Sequence, residues 1–227
     1  MSSGVISRGV NQGQVTYQTF NPRDFTQDKH RTVDDRPYGG GAGMVMLYEP
    51  LARAIQAARE AGPAGTQVVY LSPQGQVVNQ ALINRALNAT GYVFVCGRYE
   101  GLDQRIVDEL VDAQWSIGDY VLSGGEIPAL AVADSIVRLI PGVLGNNLSI
   151  IDESFLDDQL DYPHYTRPEN IGDLRVPDAL LSGDHRRIAE YRRREALTRT
   201  YLLRPDLMTQ KVFSAEEVQL LRDNLIR

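Results

Sequence analysis

V-C-G-R-Y-E-G-L-D (Val95–Asp103), followed after a short helical run by W-S-I-G-D-Y-V-L-S-G-G-E-I-P (Trp115–Pro128), is the stretch that decides the fold. Each half reads as an apolar strand that ends in a glycine-studded turn. The turns carry Arg98, Tyr99, Glu100, Asp103, Ser116, Asp119, Ser123 and Glu126. In strand–turn–helix architectures such turns gather at the carboxyl edge of the sheet, where crevices hold ligands.

Outward from this stretch the pattern repeats. Val68-Val69-Tyr70-Leu71 reads as a strand running into the turn S-P-Q-G (Ser72–Gly75). Tyr92–Cys96 is the next strand and Tyr120–Leu122 a third. Helical periodicity fills the intervals. Pro50 suits a first helical turn, with Leu51, Ala54, Ile55 and Ala58 facing inward and Gly62-Pro63 as the stop. Leu82, Ile83, Ala86 and Leu87 mark a second helix. Asp103 caps a third, with Ile106, Val107, Leu110 and Val111 inside. A fourth runs from about Pro128 to Ile140. Met44–Leu47, and a segment holding Val15, Tyr17 and Phe20, read as further strands. This alternation predicts an α/β domain with a mostly parallel sheet over residues 1–145. A Gly/Asn/Ser/Asp-rich linker follows over 146–160, and then a helical domain over 161–227. In that tail Asp184 caps a helix holding Ile188, Tyr191 and Leu197. Pro205 interrupts, and Ser214 with Glu217 forms a capping box before Val218, Leu221 and Leu225.

Composition excludes several classes. The chain has 227 residues, 43% hydrophobic and 23% charged, as ordinary globular proteins do. No apolar run reaches membrane length and the amino terminus is no signal peptide, so a cytoplasmic protein without a membrane partner is expected. Cys96 is the single cysteine, so there is no disulfide framework, and its place after Val93-Phe94-Val95 makes it a buried strand residue rather than a nucleophile. His30, His164 and His185 are scattered, which gives no dedicated metal site. No dinucleotide or P-loop glycine motif and no G-x-S-x-G elbow is present. The net charge of −6 gives no global case for nucleic acid. Yet residues 182–205 carry seven arginines against three acids, a local surface suited to phosphates.

Two features resist a bland reading. F-T-Q-D-K-H-R-T-V-D-D-R-P-Y-G-G-G-A-G (Phe25–Gly43) is too hydrophilic for a core element; a solvated loop and a substrate or subunit contact both fit it. Asp134 and Arg138 lie four apart on an otherwise apolar helix, so the pair should be partly buried. A structural ion pair and a substrate-orienting arginine are the two readings. The acidic run around Asp152, Glu153, Asp157, Asp158 and Asp161 reads either as a solvated loop or as the source of a general base.

An ordered set of motifs covers nearly the whole chain. It begins with P-R-D-F (Pro22–Phe25), H-R-T-V-D-D-R-P-Y-G-G-G-A-G-M (His30–Met44) and Y-L-S-P-Q-G (Tyr70–Gly75). V-C-G-R-Y-E-G (Val95–Gly101), W-S-I-G-D-Y-V-L-S-G-G-E (Trp115–Glu126) and I-P-G-V-L-G (Ile140–Gly145) follow. P-H-Y-T-R-P (Pro163–Pro168) and L-L-S-G-D-H (Leu180–His185) complete it. In this set the chain resembles the bacterial tRNA (guanine-37-N1)-methyltransferase family of the SPOUT class. The resemblance implies a trefoil-knotted α/β domain, a homodimer, and S-adenosylmethionine as methyl donor. It places the cofactor against Tyr70, Leu71, Ser72, Pro73, Gly97, Tyr99, Glu100 and Gly101, then Ile117, Gly118, Asp119, Tyr120, Val121 and Leu122, with Gly124, Gly125 and Pro128 completing the wall. Glu100 falls where family members contact the cofactor's amino-acid part or sulfonium surroundings.

The implied substrate is the tRNA anticodon stem-loop, methylated on N1 of guanosine 37 when position 36 is also guanosine. Arg138 matches the family's catalytic arginine, which meets charge on O6. The family's base is an aspartate before Ser-Phe; here Glu153 holds that place and Asp152 precedes it, and either can serve. Family members also use magnesium, for which the sequence shows no ligand spacing. Arg186, Arg187, Arg192, Arg193 and Arg194 are implied phosphate contacts, and the 146–158 loop is implied to order over tRNA and cofactor. An I-S-L-F-P-type opening strand has no counterpart: M-S-S-G-V-I-S-R-G (Met1–Gly9) matches the region after it, so weaker packing and an exposed sheet edge are expected. A related enzyme acting on another RNA base and a non-catalytic nucleotide-binding regulator are the competing readings.

Overall fold

The computed structural model describes residues 4–144, 154–155, 158–209 and 211–225. Asp152, Glu153 and Asp157 lie outside the described residues. The chain divides into two compact units, 1–145 and 146–227.

The first unit is built on a three-stranded parallel sheet. Its strands are β3 (Gln67–Val77), β4 (Tyr92–Val95) and β5 (Ala113–Ser116), with β3 in the centre. Two short strands, β1 (Asp34–Asp35) and β2 (Val45–Met46), form a separate antiparallel pair. Five helices accompany them: α1 (Gly4–Asn11), α2 (Tyr48–Ala61), α3 (Gln80–Ala86), α4 (Gln104–Leu110) and α5 (Glu126–Val137). Val68 and Val69 are both fully buried although neighbours on a strand point to opposite faces, so the sheet is covered on both sides. Val68 packs with Leu51, Ala52 and Ile55 of α2 and Ile106 of α4. Val69 and Leu71 pack with Leu82, Ile83 and Ala86 of α3, Trp115, and Val132 of α5. Each such side chain contributes roughly 1.5–3 kcal/mol by leaving water.

Two strand expectations need correction. The third strand is Ala113–Ser116, not Tyr120–Leu122. Asp112 decides this: its carboxylate accepts from Val68 N–H at 2.7 Å and pairs with Arg59 at 2.8 Å, which fixes where β5 begins beside β3. Trp115 then fills the core, whereas Tyr120 and Val121 stay 54% and 88% exposed despite their strand propensity. The segment around Val15, Tyr17 and Phe20 forms no strand. Val15 instead joins a cluster with Ile6, Val137 and Val143, over α1, a helix that the sequence reading missed. Gly9 makes room for this packing, since a Cβ there would lie 3.2 Å from Val15 and 3.3 Å from Val137.

The second unit holds a hairpin of β6 (Asn170–Ile171) and β7 (Leu174–Arg175), then α6 (Asp178–Leu181), α7 (His185–Leu203) and α8 (Ala215–Leu225). Asp184 caps α7 by accepting from the N–H groups of Arg186 and Arg187. Pro205 ends it in a 3-10 turn. Leu197, Met208 and Leu221 form the core with Phe213 and Leu220. The capping box is formed: Ser214 N–H donates to Glu217 at 2.9 Å, and Glu217 N–H donates to Ser214 Oγ at 3.2 Å. Among the described residues no helix is long and apolar enough to cross a membrane.

Ser214→Ala removes one arm of this box and should lower the unfolding free energy by about 1 kcal/mol, read from urea titration of the whole chain. The Glu217 carboxyl is held below its ordinary range, first by the Ser214 N–H and then by Lys211. Its folded value is the lower one, so its contribution is complete above the ordinary glutamate range and fades as pH falls through the depressed value. Glu217→Gln should therefore cost stability at neutral pH and converge on the parent chain in acid.

Candidate active site

The parallel order β4–β3–β5 brings the three glycine turns to one edge of the sheet, as the sequence predicts. The first turn is a detour within β3. Leu71 and Gln76 both pair with Trp115, so Ser72–Gly75 loops out of register between them. Ser72 is buried, and its Oγ accepts from Gln74 N–H at 3.2 Å. Gly75 closes the detour; a Cβ there would sit 2.4 Å from the backbone of Gln114 and Trp115.

The second turn, Gly97–Gly101, lies against the first through Tyr70. A Cβ at Gly97 would come within 2.9 Å of the Tyr70 ring. Burial pushes the Tyr70 phenol up from its ordinary value, so it stays a neutral hydrogen-bonding group. Tyr99 takes a left-handed conformation, φ 59°, and is half exposed. The third turn begins where Ser116 Oγ accepts from Gly118 N–H at 3.2 Å and ends at Gly125. Gly125 N–H donates to Gly97 O at 3.0 Å, and a Cβ on Gly125 would sit 2.7 Å from Cys96 Cα. The second and third turns therefore touch backbone to backbone.

The structure thus gathers Tyr70, Leu71, Ser72, Gly97, Gly101, Gly124 and Gly125. Pro73, Tyr99 and Glu100 are exposed at the rim, as are Asp119, Tyr120, Val121 and Leu122, while Ile117 and Gly118 are half-buried and Pro128 buried. Arg138 is not part of this gathering. It is the half-buried residue that follows α5, twelve positions beyond Glu126. At ~1.5 Å per residue that is about 18 Å along the axis. Asp134 is exposed, against the expectation of a partly buried pair, because the face it shares with Ile127 and Leu130 points outward.

One contributor escaped the sequence reading, and a second is a loop that reading left open. Arg98 Nε donates to Glu126 Oε1 at 2.8 Å and so ties the second turn to the start of α5; nothing but opposite charge signals this pairing. The polar glycine loop also reaches the site. Glu100 N–H donates to Met44 O and Met46 N–H to Gly101 O, both at 3.0 Å. Gly43 is required there, since a Cβ would overlap the Glu100 side chain.

In the second unit the arginines of α7 divide by role. Arg186 and Arg187 are exposed at its start. Arg192 stacks over Tyr162, 4.7 Å from the ring centroid. Arg193 pairs with Glu216 at 3.2 Å and fastens α7 to α8. Arg194 is half-buried over Tyr191 and beside Glu195, a packing role rather than a phosphate contact.

Cys96 accepts no catalytic part. Burial, with the nearby Glu126 carboxylate, pushes its thiol up to about 11, and Arg98 opposes this only partly. Thiolate is the reactive form. Alkylation by iodoacetamide at pH 8 should therefore run at least tenfold slower in the folded chain than in the urea-unfolded chain, followed by mass spectrometry.

Comparison with known proteins identifies the family. The family model described as tRNA (Guanine-1)-methyltransferase TrmD matches residues 1–210. A tRNA (guanine-N(1)-)-methyltransferase from Hahella chejuensis is 51% identical over 220 residues, 97% of this chain and 85% of the relative. Proteins of the same name from Aliivibrio salmonicida and Shewanella halifaxensis are each 52% identical over 97% of this chain, covering 88% and 89% of their own lengths. With a matching model over nearly its full length and relatives at this identity, the chain belongs to the tRNA (guanine-1)-methyltransferase family, of the SPOUT class.

Proposed function

We propose that the chain transfers a methyl group from S-adenosylmethionine to N1 of guanosine 37 in tRNAs with guanosine at 36 and 37. The observation that carries this reading is the junction of three turns packed through Gly75, Gly97 and Gly125 in a chain of this family. Residues 1–145 are then the cofactor domain and 161–227 the tRNA-binding domain, joined by 146–160. Exposed Arg186, Arg187 and Arg192 would meet phosphates of the anticodon stem-loop.

The junction fits the donor. The glycines let the three turns close on one another, and half-buried Tyr70 with buried Leu71 and Ser72 gives the donor an apolar wall with a hydroxyl. Glu100 at the rim supplies negative charge suited to a cationic donor. Bound there, S-adenosylmethionine supplies an electrophilic methyl group. The protein's own work is alignment of the guanine with that methyl, removal of the N1 proton and stabilisation of charge on O6. Arg138 is assigned to O6, and Glu153 or Asp152 to the proton. Among the described residues no group of three His, Cys, Asp or Glu side chains comes together.

A homodimer belongs to the same reading. Ile127 and Leu130 are 61% and 43% exposed on one face of α5, beside exposed Val121. Two copies packed through this face in two-fold symmetry would carry Arg138 of one subunit toward the turns of the other. A cytoplasmic setting belongs to the same reading, supported by the single cysteine and ordinary composition.

The direct test is methylation of a G36–G37 tRNA transcript, with primer-extension stops locating the product. Arg138→Ala should lower the single-turnover rate about 100-fold or more, and full activity would remove its assigned role. Glu153→Gln and Asp152→Asn, compared across pH, choose the base: the variant that loses the rise of rate with pH marks it. Leu130→Glu should shift the sedimenting species from dimer to monomer and abolish methylation together.

A further inference from the structure

The loop Arg36–Gly43 lies outside the residues assigned to the methyl donor and is built unlike a linker. Tyr38 is fully exposed, the most exposed large hydrophobic side chain among the described residues. Pro37 precedes it and fixes one φ angle. Gly39, Gly40, Gly41 and Gly43 follow with φ of 85°, 76°, 118° and 85°. At Gly39, Gly40 and Gly41 a Cβ would meet nothing within 4 Å, so crowding is not what selects glycine there; the left-handed backbone is. Both ends are anchored. Asp34–Asp35 pairs with Val45–Met46, and Met44 and Met46 are hydrogen-bonded to the Gly97–Gly101 turn. The loop is therefore a specified backbone shape that stands off the protein beside the proposed donor cleft and presents one aromatic ring to solvent. Arg36 is exposed two residues away.

We propose that this loop is a stacking platform for an unpaired nucleobase of the RNA substrate, with Tyr38 under the base and Arg36 on the adjoining phosphate. A reacting guanine must leave the loop stack to reach the donor, and its neighbour then needs a new stacking partner. A phenol ring on a held glycine loop supplies that partner, while a nearby guanidinium adds positive charge for the backbone. Tyr38 is thus a positioning residue for RNA, separate from the groups that hold the donor or move the proton. This rests on the RNA-methylating function proposed above.

The test uses the full-length chain and an anticodon stem-loop RNA with 2-aminopurine in place of the base next to the target guanosine. Binding to the parent chain should quench or shift the 2-aminopurine signal. Tyr38→Ala should abolish that change and raise Kd and KM for RNA about 10- to 100-fold, with donor affinity measured by calorimetry on the same variant unaltered. Tyr38→Phe, which keeps the ring, should restore the signal. Arg36→Ala should reduce the salt dependence of RNA binding by about one ion. If Tyr38→Ala binds RNA and perturbs 2-aminopurine as the parent does, the platform is wrong while the methyltransferase reading stands. If Tyr38→Ala instead changes the sedimenting mass, the loop is a contact between copies of the chain and the proposal falls. If the parent chain methylates no RNA, the functional reading fails first and the platform with it.

Discussion

The structure depends on the pairing of β3 with two parallel neighbours at once. Along β3 the ladder to β5 runs through Leu71, breaks for Ser72–Gly75, and resumes at Gln76 on the same Trp115. A strand that reuses one partner residue must expel the residues between, and the expelled segment is the first turn of the site. Gly75 is what allows the return, because its backbone passes 2.4 Å, measured from an ideal Cβ position, from that of Gln114 and Trp115. Any side chain there would push β5 away, and with it the third turn that β5 feeds. Gly125 plays the corresponding part between the third turn and Cys96. The site is thus a consequence of close backbone approach, and its glycines serve packing before they serve a ligand.

How much of this was legible in the sequence follows from the physics of each element. Val68-Val69 was readable because a central parallel strand is apolar on both faces. Asp103, Asp184 and the Ser214–Glu217 box were readable because a cap is a local hydrogen bond with a local signature. Ala113–Ser116 was not readable. Its alanine, glutamine and serine have little strand propensity, and its pairing is imposed by Asp112 reaching back to Val68 across more than forty residues. Tyr120–Leu122 has the propensity and lacks the partner. The same distinction explains the opening helix: Ile6 and Gly9 acquire meaning only against Val137 and Val143. At the candidate site, the turns were legible one by one, whereas the Arg98–Glu126 tie and the contact of Gly43 with Glu100 are tertiary and left no local trace. The proposed base came from an acidic run legible as a candidate source of one, and resemblance narrowed it to Glu153 or Asp152.

Charge organises the second unit in a way that the total conceals. The chain is acidic at −6, yet the start of α7 is basic. Its arginines are not equivalent. Arg193 is engaged by Glu216 and Arg194 by the Tyr191 ring and Glu195, so these two hold the helix in place. Arg186, Arg187 and Arg192 keep exposed guanidinium groups, and Arg192 is oriented by stacking on Tyr162. A count of arginines therefore overstates the exposed positive charge of the helix; the division between packing and exposure leaves a smaller set at its surface. Guanidinium groups suit this double use, since a planar cation can stack on a ring and still present N–H donors at its edge.

The two ends of α5 set the remaining constraint. At its start Gly125 and Glu126 belong to the glycine junction; after its end comes Arg138, about 18 Å away by helical rise. A rigid helix of this length cannot bring both ends to one substrate atom. The arginine proposed for the guanine and the turns proposed for the methyl donor therefore stand toward opposite ends of one α5. The outward face of that helix, with Ile127 and Leu130 exposed on an otherwise apolar segment, offers the resolution. Two copies packed antiparallel along such a face would set the end of one helix near the start of its mate. In the proposed function, a dimer packed in this way would let each reaction centre take its donor turns from one chain and its arginine from the other.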